Sequence, residues 1–470
     1  MEGRKIVQKL RIAFMTLGCK VNYYETEKLT EQFASKGNII VPFSEYADVY
    51  VVNTCTVTAI ADRKSRKMLH RARKLNENAV IAAMGCFAQT KKDTLCQEEN
   101  IDIVISNQEK SDAYDIIMEN VKMNAEKLNR SFLRVSDQII DLSDRKHENE
   151  EDKGENGVKE RTRAYIKIQD GCNQFCTYCK IPYVRGKLKS RDEDSVVNEI
   201  KELVAEGYKE VVLTGIHVSS YGVDKCSAKS FIELEGKPLA GLLERIEKET
   251  DIVRIRLSSL EPRIITDSFV KKIAANKKLC PHFHLSLQSG CDKTLANMNR
   301  KYTSAEYMQA CETLRKYYDK PAITTDVIVG FPGESDKDYE ISRQFVEDIG
   351  FADIHVFKYS PRSGTKAADY PDQINGNIKD ARSHKMIETG NKLTEMYIDS
   401  MMGTKQLALI EEKVLISGKY YWIGHNERYV KLTFAADDEG DYENCLVWIV
   451  PERIIAAGTL EGRITANKPD

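Results

Sequence analysis

The segment Asp170-Gly171-Cys172-Asn173-Gln174-Phe175-Cys176-Thr177-Tyr178-Cys179 puts three thiols within eight positions. Three thiolates so close can wrap one metal centre. Structural zinc normally takes four protein ligands, and no fourth cysteine lies nearby. A damaged zinc knuckle is therefore the weaker reading. Three ligands suit a four-iron cluster with one iron left open to a small chelating molecule.

Cys19, Cys55 and Cys86 are far apart, yet each closes a similar phrase: Met15-Thr16-Leu17-Gly18-Cys19, Val52-Asn53-Thr54-Cys55 and Ala83-Met84-Gly85-Cys86. Separations of 36 and 31 residues are each about one βαβ step. In a parallel sheet all strand carboxyl ends share one edge, so these thiols should meet there and build a second four-iron site. The bland alternative is three small residues buried after strands. Cys96, Cys226, Cys280, Cys291, Cys311 and Cys445 lack ligand spacing and receive no role.

The elements that must hold these thiols are short β-like runs alternating with amphipathic stretches. Strands are expected at Ile12–Met15, Val49–Val52, Ala79–Ala83 and Ile101–Ile105, with a helix at Tyr24–Ser35 closed by Gly37. That pattern means a parallel sheet. The stretch Asp144–Glu160 is almost wholly charged, polar or Gly and reads as a mobile linker. A second series is expected at Ala164–Ile168, Val211–Thr214, Val253–Leu257, His282–Leu287, Ala322–Val329 and Ile354–Phe357. Six βα repeats suggest a full or partial βα barrel, with its chemistry at the strand carboxyl ends. After Met402 the runs Gln406–Leu409, Lys413–Ile416, Tyr429–Phe434 and Cys445–Ile449 suggest a small all-β barrel. The fold class is thus α/β with an all-β carboxyl-terminal module.

Composition sets outer bounds. The 470 residues allow about three domains. Lys plus Arg number 70 against 72 Asp plus Glu, so any nucleic-acid surface must come from uneven placement of charge. The first ten residues lack the apolar stretch of a signal peptide, and no run of about 18 apolar residues exists. A cytoplasmic protein is expected, with no membrane partner, and there twelve cysteines are metal or redox groups sooner than disulfides.

The Cys-x3-Cys-x2-Cys spacing resembles the radical-SAM superfamily, and the later strand ends agree: Thr214-Gly215, Ser258-Ser259-Leu260-Glu261-Pro262, Gln288-Ser289-Gly290 and Gly330-Phe331-Pro332-Gly333-Glu334. The whole chain, from about residue 10 to 460, resembles the methylthiotransferases of that superfamily. The resemblance implies an amino-terminal cluster domain (10–122), a linker (123–160), a radical-SAM core (161–392) and a TRAM RNA-binding barrel (398–461). It implies that Cys172, Cys176 and Cys179 hold the cluster that binds S-adenosylmethionine (SAM). Cys19, Cys55 and Cys86 would then hold an auxiliary 4Fe-4S cluster that supplies sulfur. Tyr178, Gly215, Ser258, Glu261, Gln288, Gly330, Pro332 and Gly333 become candidate SAM contacts. No other catalytic side chain is expected. The implied chemistry is hydrogen removal from carbon 2 of an adenine, sulfur insertion there, and methyl transfer from a second SAM.

Leu17-Gly18-Cys19-Lys20-Val21-Asn22 and Leu213-Thr214-Gly215-Ile216-His217-Val218-Ser219-Ser220-Tyr221-Gly222 look like the threonylcarbamoyladenosine (MtaB-type) group. Competing substrates are isopentenyladenosine in tRNA and a ribosomal-protein aspartate; a non-catalytic iron–sulfur RNA-binding protein is the alternative of another class. Lys180 departs from the family's usual apolar residue. The implied partners are a tRNA anticodon stem-loop and an unidentified electron donor and sulfur source.

Arg63, Arg66, Lys67, His70, Arg71 and Lys74 recur at helical spacing, either a phosphate-binding stripe or a solvated face. A second basic run, Lys180, Arg185, Lys187, Lys189 and Arg191, leaves the central thiols. In the last module Tyr420, Tyr421, Trp422, Tyr429 and Phe434 mix with Lys419, Arg428 and Lys431, a composition suited to unpaired bases. About half of such rings would simply fill a small barrel. Trp422 and Arg428 are the RNA candidates there. His217, His282, His284 and His355 read as ordinary hydrogen-bonded core histidines rather than metal ligands.

Overall fold

A computed structural model describes residues 9–97, 100–124, 162–436, 440–456 and 458–465. The charged stretch read as a linker lies outside the described residues from 125 onward. The chain divides into two compact units, one comprising Met1–Glu160 with Lys180–Gly186 and the other the remainder.

The first unit is a five-stranded sheet formed by β1 (Arg11–Thr16), β2 (Ile39–Val41), β3 (Val49–Thr54), β4 (Val80–Gly85) and β5 (Ile103–Ile105). The spatial order is β2-β1-β3-β4-β5, every pairing is parallel, and β3 and β4 are buried along their whole length. Parallel strands covered on both faces need continuous apolar runs, and Val-Tyr-Val-Val and Val-Ile-Ala-Ala supply them. Alternation then splits the core. Ala13, Tyr50, Val52, Ile81 and Ala83 pack with Leu69 and Ala72 of helix Ala59–Leu75. Ile12, Val49, Val51, Val80 and Ala82 pack on the other face with Leu29 and Phe33 of helix Lys20–Ser35 and Ile117 of helix Ala113–Met123. The edge strand β2 has no counterpart among the expected strands; it is three residues long and only Val41 is buried, so its apolar signal is slight.

In the second unit six parallel strands curve into a partial barrel: β6 (Arg163–Asp170), β8 (Glu210–Gly215), β9 (Arg254–Leu257), β10 (His282–His284), β11 (Ala322–Val329) and β12 (Asp353–Lys358). A two-residue β7 (Lys189–Ser190) flanks β6 antiparallel. Sheets β7-β6-β8-β9 and β10-β11-β12 are joined only by isolated bridges such as Ile255↔Leu279 and Leu260↔Leu285. This is why β10 ends sooner than the apolar run to Leu287 suggests. Ile166, Leu213, Ile255, Phe283, Val327 and Ile354 point to the surrounding helices and form one core. Residues in the opposite phase line the concave side.

The carboxyl-terminal strands close a barrel in the order β13-β14-β15-β17-β16: β13 (Gln406–Ile416), β14 (Lys419–Asn426), β15 (Lys431–Ala435), β16 (Leu446–Ala456) and β17 (Thr459–Ile464). Two expected runs are one strand, β13, bent by a register shift between Ile410 and Glu412; the bulge explains the broken alternation. Gly424 and Gly462 sit where a Cβ would meet a backbone carbonyl at 2.1 Å. Two strands therefore carry glycines that weaken their sequence signal.

This barrel docks on the amino-terminal end of the partial barrel through charge. Arg254 donates to the carbonyl oxygens of His425 (3.1 Å) and Leu407 (2.7 Å). Arg256 donates to Glu210 (2.8 Å) and to the carbonyl oxygen of Glu427 (2.9 Å). Arg163 pairs with Glu411 at 3.1 Å. The Arg163 and Arg256 guanidinium groups lie 4.9 and 4.8 Å from the Tyr429 ring centre. Burial raises the Glu210 carboxyl, but the arginines outweigh it and hold Glu210 below the usual carboxylate range.

Candidate active site

In the first unit the three thiols follow neighbouring strands. β1 ends at Thr16, β3 at Thr54 and β4 at Gly85, and these strands are adjacent in the sheet. A Cβ on Gly18 would lie 2.7 Å from Cys55 Sγ, which puts the Cys19 loop directly against Cys55. Gly18 (φ +101°) and Gly85 (φ +96°) each precede a thiol in backbone that other residues rarely adopt. Burial, followed by the neighbouring Cys86 and Cys19, pushes the Cys55 thiol up to about 12. A metal ion that takes this sulfur must displace the proton, as thiolate ligation requires.

Polar side chains fix these loops. Asn22 donates to the carbonyl oxygens of Leu17 (2.7 Å) and Thr54 (3.1 Å), and Thr54 Oγ1 donates to the carbonyl oxygen of Met84 (2.6 Å). Arg185 donates to Asn22 Oδ1 at 2.5 Å and pairs with Glu25 at 3.0 Å, and Lys110 also pairs with Glu25. Thus Arg185, one of the basic run, is buried in an ion network and does not face solvent.

The second trio lies beyond β6 at the carboxyl ends of the barrel strands. The turn Asn297–Arg300 holds its loop: Thr177 donates from its N–H to Met298 (3.1 Å) and from Oγ1 to Asn297 (2.8 Å), while Asn299 donates to the carbonyl oxygen of Phe175 (2.9 Å). Arg300 donates to Cys176 Sγ at 3.4 Å, to Tyr302 Oη at 2.9 Å and to the Ser286 carbonyl oxygen at 3.1 Å. Burial raises the Cys172 thiol to about 11, and Arg300 opposes that rise.

Among the described residues, neither thiol trio has its sulfurs gathered within 4.8 Å of one another. One zinc ion, with Zn–S near ~2.3 Å, would need that closeness; an iron–sulfur cube spreads its thiolates wider. Each trio supplies three thiols, the donor type such a cube takes, with Cys19 and Cys86 beside Cys55 in one and Arg300 donating to Cys176 in the other.

The remaining candidates cluster on the strand ends, with differing roles. Ser258 Oγ is buried without a hydrogen-bond partner among the described residues, an orphan donor suited to a ligand. A Cβ on Gly215 would meet Gln169 Oε1 at 2.9 Å, and that oxygen accepts the His217 N–H at 2.7 Å. Gln288 adopts φ +69° and donates from its N–H to the carbonyl oxygen of Asp326. The Tyr178 ring meets Phe331 edge-on. Glu261 accepts from Arg263 at 2.6 Å and its carboxyl is raised by burial. Gly330 donates to Glu334, itself paired with Arg382 at 2.8 Å, so the Gly330–Glu334 turn around Pro332 and Gly333 is braced from behind. Sequence reasoning missed Gln169, Arg300 and the Glu25–Lys110–Arg185 network. Each makes a key contact across a long stretch of chain, Gln169 with His217, Arg300 with Cys176, and Lys110 and Arg185 with Glu25, and no spacing rule links them.

On helix Ala59–Leu75, Arg63, Arg66, Lys67, His70 and Lys74 are exposed or half-buried and Arg71 is half-buried, while Ser65, Leu69 and Ala72 are buried. In the β barrel Tyr421, Trp422 and Phe434 are buried: Trp422 and Phe434, register partners across β14 and β15, pack in the barrel core, while Tyr421 has the opposite phase on its strand. Arg428 donates to the carbonyl oxygens of Asp319 (2.8 Å) and Lys320 (3.0 Å) and is spent on docking. Tyr420 is 58% exposed, with Lys413 Nζ 5.4 Å from its ring centre. His282 is buried, but His355 is exposed, so the four histidines do not all belong to the core.

Two family matches agree with this geometry: the Radical SAM superfamily over residues 166–346 and Uncharacterized protein family UPF0004 over residues 11–106. A cobalamin- and [4Fe-4S]-bound radical S-adenosylmethionine methyltransferase, TsrM, from Kitasatospora setae shares the fold. Its TM-score is 0.52 at 14% identity, covering 77% of each chain. The fold and the thiol trio in the loop after the first barrel strand define a radical-SAM enzyme.

Relatives narrow the class. The threonylcarbamoyladenosine tRNA methylthiotransferase MtaB of Bacillus subtilis is 36% identical, covering 95% of this chain and 94% of its own. That of Aquifex aeolicus is 37% identical over 87% and 95%. A tRNA-2-methylthio-N(6)-dimethylallyladenosine synthase of Pelotomaculum thermopropionicum is 34% identical over 92% of each. The chain belongs to the radical-SAM tRNA methylthiotransferases of MtaB type.

Proposed function

We infer that this enzyme adds a methylthio group to carbon 2 of N6-threonylcarbamoyladenosine beside the tRNA anticodon, using SAM and two 4Fe-4S clusters. The observation that carries this reading is the gathering of Cys19, Cys55 and Cys86 at one sheet edge, in a chain 36% identical to an MtaB enzyme across 95% of its length. When bound, the SAM cofactor and the clusters supply radical formation, sulfur and methyl. The chain's own residues supply ligation, orientation and a shielded site.

Cys172, Cys176 and Cys179 are assigned to the SAM-binding cluster, and Cys19, Cys55 and Cys86 to the auxiliary one. Arg300, donating to Cys176, stabilises thiolate charge there. Ser258, Gln288 and Gly215 line the strand ends where SAM would lie. Residues 10–122, 161–392 and 398–461 then serve as cluster, radical and RNA modules. Arg63, Lys67 and Lys74, on the outward face of their helix, fit phosphate contact. Among the described residues no helix is long and apolar enough to cross a membrane, in keeping with action on cytoplasmic tRNA.

The dimethylallyladenosine synthases are similar at 34% identity, so isopentenyladenosine is the second substrate reading. Mass spectrometry of tRNA nucleosides from a deletion strain separates them. Loss of the methylthio form of threonylcarbamoyladenosine alone is expected; loss of the isopentenyl form alone overturns the assignment. A Cys19→Ala, Cys55→Ala, Cys86→Ala triple variant should still cleave SAM and yield no thiolated RNA. Normal thiolation by it would overturn the assignment of Cys19, Cys55 and Cys86.

A further inference from the structure

Three neighbouring strands bring His284, Asp326 and His355 together on the concave side of the partial barrel. Their ligand atoms all lie within 4.8 Å of one another, and among the described residues this is the one such His/Cys/Asp/Glu trio. The phase of each strand makes it so. Phe283, Ile323, Val327 and Ile354 face the helices, which turns His284, Asp326 and His355 the other way. Asp326 and His355 are register partners across β11 and β12. His284 Nε2 stands 3.4 Å from Asp326 Oδ2. Its Nδ1 is held 3.0 Å from Thr324 Oγ1. An outer hydroxyl on one ring nitrogen with the other aimed at the shared point is how ligand imidazoles are oriented. His355 Nδ1 is 3.9 Å from Asp353 Oδ2 on its own strand, which supplies a further carboxylate at the rim. The Asp326 and His355 side chains are 30% and 56% exposed, so the point they share opens to the concave side.

Two imidazoles and one carboxylate on one side of an ion leave several positions open. We propose that His284, Asp326 and His355 hold a divalent transition-metal ion, and that its open positions take the carboxylate of the substrate's threonylcarbamoyl group. The second clause rests on the functional reading above. Charge supports it: Asp326 by itself would repel an anion, whereas a divalent ion on the three ligands leaves one net positive charge on them, before the rim carboxylate of Asp353 is counted. A dimethylallyl group has no carboxylate and gains nothing there.

The test uses holoenzyme with both clusters in place and oxidised, so that the cysteines cannot take up added metal and the clusters are silent in paramagnetic resonance. Mn2+ is titrated into it. One Mn2+ per chain is expected below about 0.1 mM. Asp326→Asn and the exposed-site variant His355→Gln should each weaken uptake more than about tenfold, the loss that removing even an outer partner gives. Unchanged iron content in each variant shows that the fold is kept. No uptake, or equal uptake by both variants and the parent, overturns the site. Mn2+ should also tighten binding of a threonylcarbamoyl-modified anticodon stem-loop about tenfold and leave a dimethylallyl-modified one unaffected. Uptake without that effect overturns the carboxylate role. Neither readout depends on turnover, so failure here is distinct from a wrong nucleoside in the tRNA experiment.

Discussion

Gly18→Ala tests the auxiliary site with a single methyl group. The residue sits at φ +101°, and an added Cβ would lie 2.7 Å from both Cβ and Sγ of Cys55. Holding a non-glycine residue there costs on the order of 1–3 kcal/mol. Ordinary contact begins at 3.4 Å, so relief requires movement of about 0.7 Å, the difference between 3.4 and 2.7 Å. Cys55 is 5% exposed and follows a strand buried along its whole length, so the sulfur yields more readily than the backbone. Metal–ligand distances tolerate about 0.2 Å, so the cluster should be lost even though the fold survives. Gly37→Ala is the control. It has a similar φ of +85° and nothing within 4 Å, and costs about 1 kcal/mol of backbone strain alone. After anaerobic reconstitution, Gly37→Ala should carry about eight irons per chain and Gly18→Ala about four. Gly18→Ala should still form 5′-deoxyadenosine and make no thiolated RNA. A full iron complement with normal product in Gly18→Ala, or equal iron loss in both variants, would mean that crowding at Cys55 does not govern cluster binding.

Glu210→Ala leaves Arg256, 1% exposed, without its carboxylate at the barrel junction; denaturant unfolding should show a loss of about 3–5 kcal/mol. An unchanged midpoint would mean that backbone carbonyls alone satisfy the arginines. Burial, then Arg300 and Arg263, lowers the His217 imidazole to about 3. The unfolded chain, with its His near ~6.5, therefore takes up the proton first, and stability declines as pH falls from there, by up to about 1.4 kcal/mol per pH unit. His217→Phe should lose about 2 kcal/mol less than the parent between pH 7 and pH 5; identical losses would exclude His217 as the cause. Reversing Arg63, Lys67 and Lys74 to Glu should weaken tRNA binding and flatten its log–log salt dependence by about 0.7–0.9 for each phosphate no longer neutralised. An unaltered slope would return that face to solvent.

The strands and loops that carry both thiol trios were legible in the sequence. The compact trio needs only local spacing, and the dispersed one follows from a rule of parallel sheets, that successive strand ends fall on one edge. Buried strands such as Val49–Thr54 could be read because both faces are covered and the apolar run is unbroken. Long-range relations came only with the folded chain. Arg300 reaches Cys176 across 124 residues and Arg185 reaches Glu25 across 160. Trp422 turned inward and Arg428 became a docking group because barrel closure, not composition, sets which face a side chain occupies. His284, Asp326 and His355 stand on three separate strands, and only the register of β10, β11 and β12 makes them neighbours. Periodicity along a chain is a local property; which charges must be neutralised at a junction depends on what the fold lays against them.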